Sequence, residues 1–266
     1  MNTNIVNEQQ KSKIIQEINK LLQERYIFPK MAKKIAGKLE DNFEKGEYQN
    51  INDLSSFALN LRKTLNISKD KHLCVLYDQE HLKRIIDNRS DKKEAEKLEL
   101  LNKIRIGKKE NFGFVKVEIL EGNIGLIDLR KFYNTKIKEA GKAATAALQF
   151  LRNTDAIIID LRNNGGGEPE MVQLLASYFF EDRTRLNSIE RPYEGYVEQY
   201  WTYPYLPGKN HSDKDLYILT SKNTFSAAED FIYALQCQKR AIIVGEITKG
   251  GAHPVDFFSI QDLLVL

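Results

Sequence analysis

Two cysteines in 266 residues, Cys74 and Cys237, are too few and too far apart for a disulfide framework or a CxxC metal site. Each reads as a small core residue. No run of about 18 apolar residues occurs, so no segment is expected to span a membrane as a helix. The first twenty residues, MNTNIVNEQQKSKIIQEINK, lack both the apolar stretch and the small-residue cleavage site of a secretory signal. As written, the chain is expected to be cytoplasmic. Neither charge dominates: 40 Lys and Arg stand against 37 Asp and Glu, a net of +3. The basic residues are scattered, which argues against a nucleic-acid partner. Neither G-x-x-x-x-G-K-[ST] nor G-x-G-x-x-G is present, so a phosphate cradle is excluded, and no cofactor or metal is expected.

What is present is an ordinary globular composition, 42% hydrophobic and 29% charged. Residues 11 to 65 are helical in pattern. Ile14, Ile15, Ile18, Leu21 and Leu22 repeat at three- and four-residue spacing, and so do Met31, Ile35 and Leu39 after Pro29. Leu54, Phe57, Ala58, Leu61 and Leu65 share a third face. Residues 1–78 therefore read as a small helical bundle. Residues 79–110 are dense in both charges and read as a charged helical linker. From residue 112 the period becomes two. FGFVKVEIL and IGLIDLRKF form a predicted hairpin about EGN. DAIIIDL and DLYILT are continuous apolar strands, as in a sheet covered on both faces. RLNSIERPYEGYVEQYWTYPY reads as an aromatic strand pair, and AIIVGE as a further strand. Strands alternate with helices, so residues 111–266 are expected to form an α/β core with much parallel sheet.

Two loops would lie beyond the C-terminal ends of such strands, where ligands bind in open α/β sheets. They are RNNGGG after AIIID, and SKNTFS after LYILT. Both lead into helices. In TFSAAEDF, Ser226 and Glu229 have the spacing of a capping box, the ordinary use of that pattern. A serine at a helix N-terminus also sits beside free N–H groups, which can hold an oxyanion. Three glycines let a backbone approach a substrate closely. The residues alone leave cap and nucleophile open. Imidazole would be the natural partner of a serine hydroxyl. Of the four histidines, His81 and His211 lie in charged surroundings and read as surface residues.

In combination, DAIIIDLRNNGGGEPEMVQLLASYF and LYILTSKNTFSAAEDFIYALQCQKRAIIVGEITKGGAHP resemble the C-terminal processing, or tail-specific, serine peptidases. The front end, LLQERYIFPKMAKKIAGKLE with DLSSFALNLRKTL and SKDKHLCVLYD, resembles the bundle of bacterial relatives of interphotoreceptor retinoid-binding protein. The resemblance implies a ClpP- or crotonase-like ββα core after the helical bundle, and hydrolysis of peptide or protein substrates. It implies Ser226 as nucleophile, with oxyanion donors from Ala227 and from the loop Gly165, Gly166 and Gly167. In relatives with a Ser–Lys dyad a lysine follows the serine by 25 residues. Here Gly251 holds that position, Lys249 is two residues short, and no segment is long enough for a PDZ insert. Both departures point to the tricorn-like branch with a histidine base, which His72 in KDKHL would supply, with His253 in GGAHP as the alternative. That branch also places a glutamate some tens of residues past the nucleophile, in a segment that closes the core. With 40 residues after Ser226, the core is expected to be truncated and weakly active or inactive. Relatives are often exported, and a homo-oligomer is compatible with the reading.

Two other classes fit part of the sequence. A non-catalytic relative would bind peptides or apolar ligands, with Tyr193 to Tyr205 and Trp201 lining a groove. A crotonase-type acyl-CoA enzyme would share the fold but would not need Ser226.

Overall fold

The computed structural model describes residues 5–77, 92–251, 253–261 and 263–265. The chain divides into two compact units, Met1–Leu98 with Pro254–Leu266, and Glu99–His253.

The first unit contains helices α1 (Glu8–Arg25), α2 (Pro29–Glu44) and α3 (Leu54–Leu65). Their starts follow from local chemistry. Asn7 caps α1 in a capping box with Gln10, both bonds at 2.9 Å. Pro29 opens α2, where its missing N–H costs nothing. Asp53 caps α3 by accepting the Ser56 N–H at 2.8 Å. The apolar stripes predicted from spacing meet in one core, with Ile14, Ile18, Ile35, Leu39, Phe57 and Leu61 fully buried. Strands β1 (Val75–Leu76), β9 (Phe258–Ile260) and β10 (Leu263–Val265) form an antiparallel sheet in the order β1-β10-β9. Ile260, Leu263 and Val265 join the bundle core. Residues 254–266 thus belong with the bundle and not with the α/β unit, as the sequence boundaries had it. Leu264 and Val265 pair with β1, and Ile260, Leu263 and Val265 are buried in the helical core.

The linker expected over residues 79–110 is a helix, α4 (Lys92–Lys109), where it is described. Its later turns join the second unit, where Ile104 packs on the core and Gly107 lies against Phe112.

The second unit is built on a five-stranded sheet in the order β2-β3-β4-β7-β8. Strands β2 (Phe114–Leu120) and β3 (Ile124–Leu129) form the predicted antiparallel hairpin. Strands β3, β4 (Ala156–Asp160), β7 (Asp215–Thr220) and β8 (Ile242–Gly245) run parallel. The crossovers carry α5 (Lys138–Phe150), α6 (Pro169–Ser177) and α7 (Ala227–Cys237). Ile157, Ile159, Leu216 and Ile218 are buried against Ala140, Ala144 and Phe231, while Ile158 and Tyr217 on the other face are half-buried. Only one face of the sheet is fully covered, although the apolar runs had suggested two. Strands β5 (Arg185–Arg191) and β6 (Tyr196–Trp201) form a separate two-stranded ribbon. The Arg183 guanidinium lies 4.8 Å from the centre of the Trp201 ring.

Candidate active site

The parallel order brings the loops after β4 and β7 together at the C-terminal edge of the sheet, and Asn164 ties them. Its side chain is fully buried. Nδ2 donates to the Leu129 carbonyl at the end of β3, at 2.9 Å. Oδ1 accepts the Gly166 N–H at 2.8 Å, and its carbonyl accepts the Phe225 N–H at 3.0 Å. One side chain and its backbone thus join three loops. Asn164 stands beside the glycines in RNNGGG, and its residue type alone does not mark this role. Thr224 makes a second tie: its buried hydroxyl donates to the Leu161 carbonyl at 2.8 Å.

Ser226 sits directly before α7 with φ 56° and ψ −122°. This is a left-handed conformation that glycine favours and a side chain resists, with a cost of about 1–3 kcal/mol. Helix caps ordinarily take extended backbone. The capping box expected from the Ser226–Glu229 spacing is present, with the Ser226 N–H donating to Glu229 Oε2 at 2.8 Å, and the Glu229 N–H also donates to the Ser226 carbonyl at 2.7 Å.

The glycine loop packs onto this turn. A Cβ on Gly166 would lie 2.8 Å from both the Ser226 Cβ and the Phe225 carbonyl oxygen. On Gly167 it would strike the Phe132 carbonyl oxygen at 2.0 Å, whereas Gly165 faces open space. The Phe132 N–H donates to the Gly166 carbonyl, and the Glu168 N–H to the Phe132 carbonyl, both at 2.9 Å. The N–H groups of Gly165, Gly167 and Ala227 donate to nothing among the described residues. Gly166 is different, since Asn164 takes its N–H. Of the loop donors that the sequence suggested, Gly165 and Gly167 keep theirs available.

One turn into α7, Asp230 accepts Asn187 Nδ2 of β5 at 2.5 Å, and burial pushes its carboxyl above the usual range against that hydrogen bond. Lys249 lies in the loop after β8. Its N–H donates to the Thr224 carbonyl at 3.0 Å, and its ammonium is 4.6 Å from the centre of the Phe225 ring.

His72 belongs to the first unit, is buried, and donates its backbone N–H to Asp70 Oδ1 at 2.9 Å. His253 ends the second unit and is half-buried. His81 lies outside the described residues. His211 is no surface residue: it is fully buried against Tyr178 and Phe179. Its backbone is locked by the Tyr178 carbonyl and by Arg240. Cys237 is exposed and Cys74 half-buried, so neither is a core residue as expected.

A strained serine at a helix N-terminus thus lies beside a glycine loop whose Gly165 and Gly167 N–H groups are unused among the described residues. The comparisons place the chain in a family. Residues 123–266 match the model of peptidase family S41, and the chain belongs to that family. Residues 2–110 match the N-terminal domain of peptidase S41 in eukaryotic IRBP. The carboxyl-terminal-processing protease of Synechocystis sp. is 29% identical over 140 residues, 53% of this chain and 31% of that protein. The chloroplastic carboxyl-terminal-processing peptidase 2 of Arabidopsis thaliana is 31% identical over 144 residues, covering 52% and 26%. The chain thus spans about a third or less of these relatives. A lipoprotein from Streptococcus agalactiae shares the fold, with a TM-score of 0.56 at 15% identity over 100% of this chain and 86% of that one. Among the described residues no helix is long and apolar enough to cross a membrane.

Proposed function

We propose that the chain is a serine peptidase acting on extended peptide or protein substrates near their C-termini. In this reading the Ser226 hydroxyl attacks the scissile carbonyl, and its proton passes to the His72 imidazole. The oxygen of the tetrahedral intermediate is held by the N–H of Ala227 and by one from Gly165 or Gly167. Collapse breaks the C–N bond, and the leaving amine takes the proton from the imidazolium. Water then hydrolyses the acyl-serine with the same base. The observation that carries the reading is the left-handed backbone of Ser226 at the N-terminus of α7. A cap does not need that strain, and an exposed nucleophile on a tight turn does.

The test is acylation. A fluorophosphonate probe incubated with the folded chain is expected to modify Ser226, mapped by mass spectrometry, and to leave the Ser226→Ala variant unlabelled. Labelling elsewhere, or none in folded protein, would remove the nucleophile. His72→Ala should slow labelling while His253→Ala leaves it unchanged. The reverse result would move the base to His253.

A further inference from the structure

The glycine loop is carried by a segment that the proposed chemistry does not touch, the residues that follow β3. Phe132 is fully buried, its ring 5.7 Å from that of Phe231 in α7. It forms a parallel bridge with Gly167. The Phe132 N–H donates to the Gly166 carbonyl, and its carbonyl accepts the Glu168 N–H, both at 2.9 Å. In such a bridge the partner residue between the two bonded groups directs its own N–H to the opposite side. The Gly167 N–H is therefore turned away from Phe132 and left available. A Cβ on Gly167 would lie 2.0 Å from the Phe132 carbonyl oxygen, so the two backbones touch and a shift of one must move the other. Where the Gly167 N–H points depends on where Phe132 is held.

It is held from the junction of α4 with β2. Asn111, Phe112 and Gly113 take φ of 44°, 51° and 88° in succession. The first two carry side chains, and such residues stay left-handed only where their surroundings enforce it. Phe112 is buried, with its ring against Gly107 of α4 and edge-on to the Tyr133 ring at 5.7 Å. Tyr133 is only 6% exposed, and its hydroxyl donates to Glu110 Oε2 at 2.7 Å. The Arg130 N–H donates to the Gly113 carbonyl at 2.9 Å, and a Cβ on Gly113 would meet the Lys131 carbonyl oxygen at 2.3 Å. Residues 130–133 are thus gripped between the turn at 110–113 and the glycine loop. A phenylalanine would fill the same space as Tyr133. The hydroxyl adds a directed bond, and because Tyr133 follows Phe132 immediately, holding its ring holds the peptide between them.

We propose that Tyr133, latched to Glu110, is a positioning residue of the active site: it holds Phe132 so that the Gly167 N–H stays aimed at the oxygen of the tetrahedral intermediate. The inference rests on the reading of Ser226 as nucleophile and adds what sets its oxyanion donor. It also chooses between the two available loop donors, since Gly165 makes no such bridge among the described residues. The end of α4 becomes part of the machinery, because a displacement of Gly107 or Glu110 is passed through Phe112 and Tyr133 to Phe132.

The experiment uses the full chain and two readouts. The backbone amide resonance of Gly167 in ¹⁵N NMR reports the placement of the donor whether or not Ser226 reacts. The rate of fluorophosphonate labelling at Ser226 reports its use, because the phosphoryl oxygen of the adduct sits where the oxyanion would. Tyr133→Phe keeps the ring and its packing, and Glu110→Ala removes the acceptor. Each should move the Gly167 resonance and slow labelling about tenfold, at a temperature where every variant is folded. The double variant should be no slower than either single one, since both remove the same bond. Glu110→Gln still offers an oxygen to the Tyr133 hydroxyl and should restore both readouts. A lowered melting temperature with an unmoved Gly167 resonance would overturn the proposal and leave Tyr133 a packing residue. A Glu110→Gln variant as slow as Glu110→Ala would overturn it too. If the unsubstituted chain takes no label while the Gly167 resonance still follows the latch, the nucleophile reading fails and the hold of Tyr133 on Gly167 stands.

Discussion

The backbone N–H of Ser226 and the carboxylate of Glu229 are joined at 2.8 Å, and the other oxygen of that carboxylate holds a second loop. Glu229 Oε1 accepts the Thr248 hydroxyl at 2.6 Å and the Gly250 N–H at 2.7 Å. One side chain therefore fixes both the serine turn and residues 248–250. Glu229→Gln puts an NH₂ group where donors converge, so at least one donor loses its acceptor. The expected cost is about 1–3 kcal/mol in denaturant unfolding, with faster proteolysis between Thr248 and Gly250. An unchanged midpoint would show that the carboxylate is not needed there.

Ser226 should be a stability liability. Ser226→Gly removes the Cβ from a backbone at φ 56° and is expected to raise stability by about 1 kcal/mol, even after glycine's extra unfolded entropy. Ser226→Ala keeps the Cβ and should not. On the proposed reading both variants should also escape labelling by the fluorophosphonate probe. Equal melting temperatures for the two would mean that the turn is not strained.

The three glycines should not behave alike. Gly166→Ala forces a Cβ to 2.8 Å from a neighbouring carbonyl at φ 98°, and should cost about 3 kcal/mol or more. Gly165→Ala meets open space and should move the unfolding midpoint little. Circular dichroism melts of the two variants decide this, and similar losses would place Gly165 in a tighter setting than described.

His211 makes stability acid-sensitive. Burial, reinforced by nearby Lys214, lowers its pKa to about 4 from 6.5, so the folded protein keeps it neutral. Between those values the unfolded chain binds a proton that the folded chain refuses. Stability from this group is full above about pH 6.5 and falls as pH drops toward 4. His211→Leu is expected to flatten that part of the melting-temperature profile. A profile of unchanged slope would assign the acid sensitivity to other groups.

Much of this was legible in the sequence, for physical reasons that differ by element. The stripes Ile14–Ile18–Leu22 and Phe57–Leu61–Leu65 are periodic over several turns, and periodicity reports burial directly. The hairpin about EGN and the loops after β4 and β7 followed from short-range turn chemistry. The role of Asn164 is not legible locally because it depends on Leu129 and Phe225, partners 35 and 61 positions away. The burial of His211 is hidden for a related reason: neighbouring charges describe the local chain, whereas burial is set by Tyr178 and Phe179. The strain at Ser226 leaves no compositional trace, because serine is common at helix starts of ordinary geometry.

The strand order of the small sheet bears on how the chain is made. β10 lies between β1 and β9, so residues 75–76 have no strand partner until residues 263–265 have been synthesised. By then the whole of Glu99–His253 has been translated and can collapse on its own core. The helical unit, whose helices are made before Glu99–His253, is therefore the later of the two to close, and Val75 waits through nearly 190 residues of synthesis for Val265. During that interval the apolar faces that Ile260, Leu263 and Val265 later cover are open to other chains. Crowded polysomes should be where this protein is most prone to mispair.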